Sequence, residues 1–261
     1  MDNRNSRLEF KQEQLWDALM KRFVDLHLSP PIQNRDRIQR MVNRSAELGY
    51  SLVGIPLPTG ISKDSIEKLR SICATANMDF AKRIDLTPRT PRELLRLLRR
   101  VRRRFEVVSV ICGSKAVARQ AAKDRRVDLL SFSATNLHRR FFDQAEAELA
   151  SKALSGFEID ITPLLELTGF QRVHLISRLR REVGVANKFN VPLIISSGAS
   201  KPDQLRSPRD CAALASLFDL DAQFSLDALS EIPSALVERN RRKLSPEYLA
   251  PGVRVVKRSN E

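Results

Sequence analysis

Between residues 23 and 242, short apolar runs alternate with longer stretches whose apolar residues recur every three or four positions. The first pattern marks a strand buried on both faces, the second a helix with one side against a core. Phe23–Leu28, Tyr50–Ile55, Asp79–Leu86, Glu106–Cys112, Val127–Phe132, Gly156–Ile161, Pro192–Ser197 and Asp221–Leu226 read as eight strands. Between them lie predicted helices. One is capped by Asn34, carries Ile38, Met41, Val42 and Leu48, and stops at Gly49; a second starts at Ser62 with Ile66, Leu69 and Cys73 on its apolar side. Others run from Thr90 to about Arg104, over 115–124 and 143–154, from Thr168 to about Phe189, from Ser207, and from Ser230 to Arg242. Thr90-Pro91-Arg92-Glu93 and Ser207-Pro208-Arg209-Asp210 are helix starts with a mechanism: a side-chain cap, a proline where no N–H is needed, and an acid that closes a capping box.

One strand–helix unit every 20–35 residues, repeated eight times without a long interruption, predicts an α/β fold of one domain: a closed TIM-like (β/α)8 barrel over residues 23–245. Residues 1–22 are expected to form a helical lead-in with Leu8, Leu15, Trp16 and Leu19 on one side, and residues 246–261 a C-terminal extension. The 261-residue length suits a barrel of this kind, which typically needs about 250 residues.

Composition adds two constraints. No stretch approaches the ~20 apolar residues needed to cross a bilayer, and the polar, acid-bearing N-terminus is neither signal nor transit peptide. Cys73, Cys112 and Cys211 are odd in number and far apart, which excludes a disulfide framework or a cysteine metal cluster and predicts a cytoplasmic protein. Charge is the stronger constraint. Lys and Arg total 45 against 31 acids, a net charge of +14, and a field of that sign attracts polyanions. Arginine dominates, and its planar fork grips phosphate oxygens in pairs. RNA fits this better than a membrane, since no helix joins the charge to a wholly exposed apolar face.

Candidate chemistry is sparse. The chain has three histidines, His27, His138 and His174. His27 ends the first strand, on the face where barrel active sites sit, and Asp25 is expected to point the same way. A hydrolytic metal site needs three or four converging ligands, and the other two histidines fall in a loop and on a helix. His27 is left open between a structural role, RNA contact and metal ligation; His174 is expected to pack or face solvent. Asp85, Glu158 and Asp160 lie at predicted strand ends, with Arg83 and Asp85 on one side of their strand and in position to pair. Nucleophile-elbow, P-loop and dinucleotide glycine patterns do not occur. Ser196-Ser197-Gly198-Ala199-Ser200-Lys201 follows the seventh strand, where barrels often hold phosphate. Ser197 and Gly198 are therefore phosphate-binding candidates, the alternative being a tight polar turn.

The basic residues are better organised. On the helix opening at Thr90, Leu94, Leu98, Val101 and Phe105 form one stripe, and Arg92, Arg96, Arg99 and Arg103 the opposite one, flanked by Arg100, Arg102 and Arg104. Such a row offers phosphate contacts, or else is a solvated face. Further basic clusters are Lys123-Asp124-Arg125-Arg126, Arg139-Arg140, Arg178-Leu179-Arg180-Arg181 and Arg241-Arg242-Lys243. Aromatic residues, at 6%, are not interleaved with them in sequence, which favours contact with the backbone and shape of a folded RNA over base stacking.

The second half carries a specific resemblance. Arg126-Val-Asp-Leu-Leu-Ser-Phe132, Phe157-Glu-Ile-Asp-Ile-Thr-Pro-Leu164, Ile195-Ser-Ser-Gly-Ala199 and Leu205-Arg-Ser-Pro-Arg-Asp210, with Ala228-Leu-Ser230, Pro233, Asn240, Lys243 and Pro251-Gly-Val-Arg-Val-Val256, resemble the 30 kDa-subunit family of ribonuclease P, whose archaeal members are called protein component 3. The likeness spans about residues 23–256, and the short tail after Val256 points to the archaeal form. It implies a TIM-like barrel related to the PHP phosphoesterases but without their His-rich metal site. It also implies membership of a ribonucleoprotein that removes the 5′ leader of precursor tRNA, with the RNA and its Mg²⁺ as catalyst. The protein itself is then expected to hold no metal or cofactor and to contribute no catalytic residue. Implied partners are the ribonuclease P RNA, the small RRM-like component 2 and other holoenzyme proteins. By position the resemblance makes Arg83, Lys115, Lys123, Arg178 and Lys201 RNA-contact candidates; the Arg92, Arg96, Arg99 and Arg103 row rests on charge alone. The alternatives are a metal-dependent phosphoesterase of PHP type using His27, Asp25 and the strand-end acids, and a basic scaffold that binds only proteins.

Overall fold

The computed structural model describes residues 21–250 and 253–254. The expected lead-in therefore lies outside the described residues up to residue 20, as does much of the expected extension. Seven parallel strands form one sheet in chain order: β1 (Phe23–Asp25), β2 (Tyr50–Pro56), β3 (Asp79–Leu86), β4 (Val107–Ile111), β5 (Leu129–Ser131), β6 (Gly156–Asp160) and β7 (Leu193–Ser196). Helices return the chain between them: α1 (Arg35–Glu47), α2 (Lys63–Thr75), α3 (Pro91–Val101), α4 (Lys115–Lys123), α5 (Gln144–Ala153), the short α6 (Thr162–Glu166) and α7 (Gly169–Lys188). After β7 come α8 (Pro208–Ala215), α9 (Ala222–Asp227) and α10 (Glu231–Leu244), then a backbone hairpin that pairs Tyr248 with Arg254. The sequence signals work as read: Thr90 and Ser207 accept from the backbone N–H three residues on, and the Ser207–Asp210 capping box closes. The short α6 was not expected.

The expected eighth strand is not a strand. Asp221 caps α9, its Oδ1 accepting from Phe224 N at 2.8 Å, and Ala222, Gln223 and Leu226 carry no β-branched side chain to resist a helix. The alternation of Phe224 and Leu226 with polar neighbours imitated a strand. Closure is made instead by two residues. Ala228 O accepts from Ile195 N at 3.1 Å and Leu229 O accepts from Val24 N at 2.8 Å, so this link stands between β7 and β1. Higher up the two edges meet directly, with Ser29 N donating to Ala199 O at 2.8 Å. The barrel is TIM-like with seven strands and a two-residue stave.

The pleat divides each strand between two cores. Val24, Leu26, Leu52, Ala81, Val107, Leu129 and Ile194 face the barrel axis, while Val53, Phe80, Val108, Leu130 and Ile195 face the helix layer. Leu236 and Val237 of α10 join the inner cluster, so α10 plugs the N-terminal end of the barrel. Its polar end is pinned there. Asn240 Nδ2 donates to Glu106 O and Asp128 Oδ1, each at 2.8 Å, and Arg241 reaches Asp79, Glu106 and Phe80 O at 2.7–2.9 Å. Two residues further up the strands the inward positions become Gly54, Arg83, Ser109, Ser131, Glu158 and Ser196. At Gly54 a Cβ would stand 2.4 Å from Leu26 O, so only glycine lets β1 and β2 approach this closely. That layer of small residues leaves room for one large buried pair.

Candidate RNA interface and the barrel mouth

The pair is Arg83 and Glu158. Arg83, 0% exposed, donates to Glu158 Oε1 and Oε2 at 2.5 and 2.7 Å, to Asp85 Oδ1 at 2.6 Å and to Leu26 O at 2.9 Å. Burial works against the charged guanidinium, yet Asp85 and Glu158 outweigh it and hold its pKa above the ordinary arginine value. The expected Arg83–Asp85 pairing is present. The expected RNA contact at Arg83 is corrected: with its donors turned inward and no exposed surface, it cannot meet a phosphate.

Above this pair His27 bridges two acids, its Nδ1 2.9 Å from Asp160 Oδ1 and its Nε2 3.3 Å from Asp85 Oδ2. Burial and the Arg83 charge act to lower the His27 pKa, but Asp160 and Asp85 raise it to about 10. The two carboxylates favour the imidazolium form, in which both ring nitrogens donate. Burial would raise Asp85; Arg83 and His27 prevail and hold it well below the usual carboxylate range. Asp25 is fully buried, and its Oδ1 accepts from His27 N at 3.1 Å and from Ser197 N at 2.9 Å.

His27, Glu158 and Asp160 offer ligand atoms within 4.8 Å of one another, the spacing of a metal site. Their bonding does not suit one. Both Glu158 oxygens already face the Arg83 fork. With Glu158 so engaged by Arg83, the metal-dependent phosphoesterase alternative is not favoured. Phosphate binding at Ser197 and Gly198 is also corrected. Ser197 is 3% exposed and its N–H is donated to the Asp25 carboxylate. Gly198 has φ +62°, and a Cβ there would stand 2.8 Å from Asp160 Cβ and Cγ. A carboxylate, not an anion-binding nest, sits against this turn.

The remaining basic candidates are on the outside. Leu94, Leu98 and Val101 are buried under α3, while Arg92, Arg96, Arg99, Arg100, Arg103 and Arg104 are exposed. From Arg92 to Arg100 the row spans about 12 Å at the helical rise, and Arg103 lies in the turn after α3. Arg102 is the exception, held by Asp128 at 2.6 Å. Lys123 is exposed at the end of α4 and Lys115 is exposed at its start, the latter 3.2 Å from Asp143. Lys201 is exposed after the β7 turn. Arg178 is partly committed, donating from Nη2 to Arg140 O at 2.6 Å. Of the other clusters, Arg140 is buried against Glu182 and Arg241 is tied into the barrel floor. Both partners lie far away in sequence, so no local signal marked them. His174 faces solvent and packs on Phe170. Cys73, Cys112 and Cys211 are buried and unpaired. Among the described residues no helix is long and apolar enough to cross a membrane.

The family model described as RNase P subunit p30 matches residues 22–245. Ribonuclease P protein component 3 of Methanosarcina mazei is 30% identical over 236 residues, covering 90% of this chain and 95% of that protein. The protein of the same name from Methanosarcina barkeri is 29% identical over 236 residues, covering 90% and 96%. Among solved structures, a chain from the cryo-EM structure of archaeal ribonuclease P with mature tRNA superposes with a TM-score of 0.77 at 20% identity, covering 91% of this chain and 100% of that one, which shows a shared fold. The chain belongs to the ribonuclease P subunit p30 family.

Proposed function

We infer that this chain is a protein subunit of ribonuclease P, binding the RNA of that ribonucleoprotein while the RNA and its Mg²⁺ cleave the 5′ leader from precursor tRNA. Relatives matched along nine-tenths of the chain bear the name ribonuclease P protein component 3, and a structure sharing its fold is of archaeal ribonuclease P with mature tRNA. The observation that carries the RNA reading is the α3 face. Arg92, Arg96, Arg99 and Arg100 project from one helix into solvent and Arg103 from the turn that follows it, with Lys123 on the neighbouring helix, while the acids of the barrel mouth are paired internally. Cations so placed neutralise phosphates and release their counterions. The protein partners in this reading are the small RRM-like component 2 and other holoenzyme subunits, and the assembly works in the cytoplasm.

Reconstitution tests this. Precursor tRNA cleavage at low Mg²⁺ is assayed with the RNA and the small RRM-like protein, with and without this chain. Cleavage that rises on its addition is the expected result, and cleavage indifferent to it overturns the reading. So does phosphoester hydrolysis by the isolated chain that His27→Ala abolishes.

A further inference from the structure

Helix α7 turns apolar groups outward in its first turns. Phe170 is 78% exposed and Val173 64%. An aromatic ring this bare contributes nothing to the core. It meets His174 edge to face, with ring centroids 4.3 Å apart and planes at 65°, and most of its surface stays open to solvent. Facing α7, the turn Leu137–Arg139 brings His138 to the same place, and the two enclose a hollow of about 230 Å³ walled by Leu137, His138, His174, Ser177, Arg178 and Arg181.

The lining of this hollow differs in charge from that of the barrel mouth. The wall of the mouth sets Glu158 and Asp160 beside His27 and Arg140. Here, among the described residues, each polar side chain in the wall is a basic group or a hydroxyl. The nearby acid, Glu182, is buried, with its two oxygens 3.1 and 3.0 Å from Arg140 Nε. A flat, open ring beside cationic donors suits a ligand that joins a planar heterocycle to a phosphate. A protein partner seated here would have to bury Arg181 and two histidines without acids of this chain to pair them.

We propose that this hollow is a second RNA contact that takes one unpaired nucleotide, its base on Phe170 and its phosphate among Arg181, Arg178, His138 and His174. The proposal rests on the RNA-binding reading above. It adds stacking to a protein whose other basic surface offers backbone contact only, the combination by which proteins hold single-stranded segments.

The test compares two probes on the full chain by fluorescence anisotropy: a short labelled oligoadenylate and a fully paired RNA duplex. Phe170→Ala is expected to weaken oligoadenylate binding about tenfold, the scale of one lost base stack, and to leave duplex binding and the melting temperature unchanged. Phe170→Trp should retain affinity. Arg181→Gln should reduce the salt slope of oligoadenylate binding by about 0.7, one contact's share. If the unaltered chain binds neither probe, the RNA-binding reading falls with the proposal. If it binds both and Phe170→Ala changes neither, or changes both alike, only the nucleotide site is overturned. The site is overturned in the same way if Phe170→Ala loosens a protein subunit and leaves RNA affinity untouched.

Discussion

Arg83 meets Glu158 through two parallel hydrogen bonds, 2.5 and 2.7 Å long, where neither side chain touches solvent. The fork geometry satisfies both carboxylate oxygens at once, and Ser196 Oγ adds a third donor at 2.9 Å to Oε1. A buried pair of this kind contributes little net stability compared with an apolar pair, but losing one partner strands a charge.

Arg83→Met is therefore expected to destabilise the chain by about 3–5 kcal/mol, since Glu158 and Asp85 lose their counter-charge in a dry layer. Denaturant unfolding measures this. Arg83→Lys should recover only part, because an ammonium cannot bridge both Glu158 oxygens and Asp85. A loss below about 1 kcal/mol for Arg83→Met, the level of an exposed pair, contradicts the account.

The pH dependence follows from His27. Its folded pKa, about 10, lies above the ordinary value of about 6.5, so its contribution to stability is fully present below pH ~6.5 and lost as pH rises towards 10. Asp85 acts in the opposite sense, losing its contribution as pH falls, since its folded pKa is depressed. Melting temperature between pH 6 and 10 should fall more steeply for the unaltered chain than for His27→Gln. Parallel curves would show that the imidazolium is not held.

Gly198→Ala combines a left-handed backbone with a clash against Asp160. We expect a loss of about 2–4 kcal/mol, from backbone strain and overpacking together. The shift of Asp160 should also lower the His27 pKa, readable by NMR titration of the ring. Unchanged stability would place the β7 turn differently.

For the α3 face the salt dependence of RNA binding is the readout. About five neutralised phosphates give a slope of log affinity against log salt near −4. Replacing Arg92, Arg96, Arg99 and Arg103 by Gln should bring that slope about 3 units closer to zero while leaving the melting temperature alone, since all four are exposed. A slope near zero for the unaltered chain removes the RNA reading; an unchanged slope in the variant removes this face from it.

Seven strands and, apart from α6, the helices between them were legible because each carries its own periodicity, and most a side-chain cap. The Asp221–Leu226 misreading shows the limit: six residues fit a period of two and a helical turn alike, and the Asp221 cap decided between them. The α3 arginines were legible for the same local reason, their stripe standing opposite Leu94 and Leu98. Arg83 was not. It alternates on its strand like any surface cation, and its partners are two residues away on its own strand, 57 away at Leu26 and 75 away at Glu158. The hollow beside Phe170 was half legible: Phe170, His174, Arg178 and Arg181 recur along α7, but its other wall, Leu137 and His138, comes from a turn more than thirty residues earlier.

By itself the sequence determined the repeating strand–helix order, the net positive charge, the outward arginine row and the motifs that mark the family. Tertiary structure alone decided that the barrel closes on Ala228 and Leu229, that Arg83 and His27 supply the cations of the mouth, and that the Ser197 N–H faces Asp25. Periodicity records which side of an element is covered, because burial of that side is a local, repeating demand. Which charges come to share the inside of a closed sheet depends on distances across the barrel, and those exist only once the chain has folded.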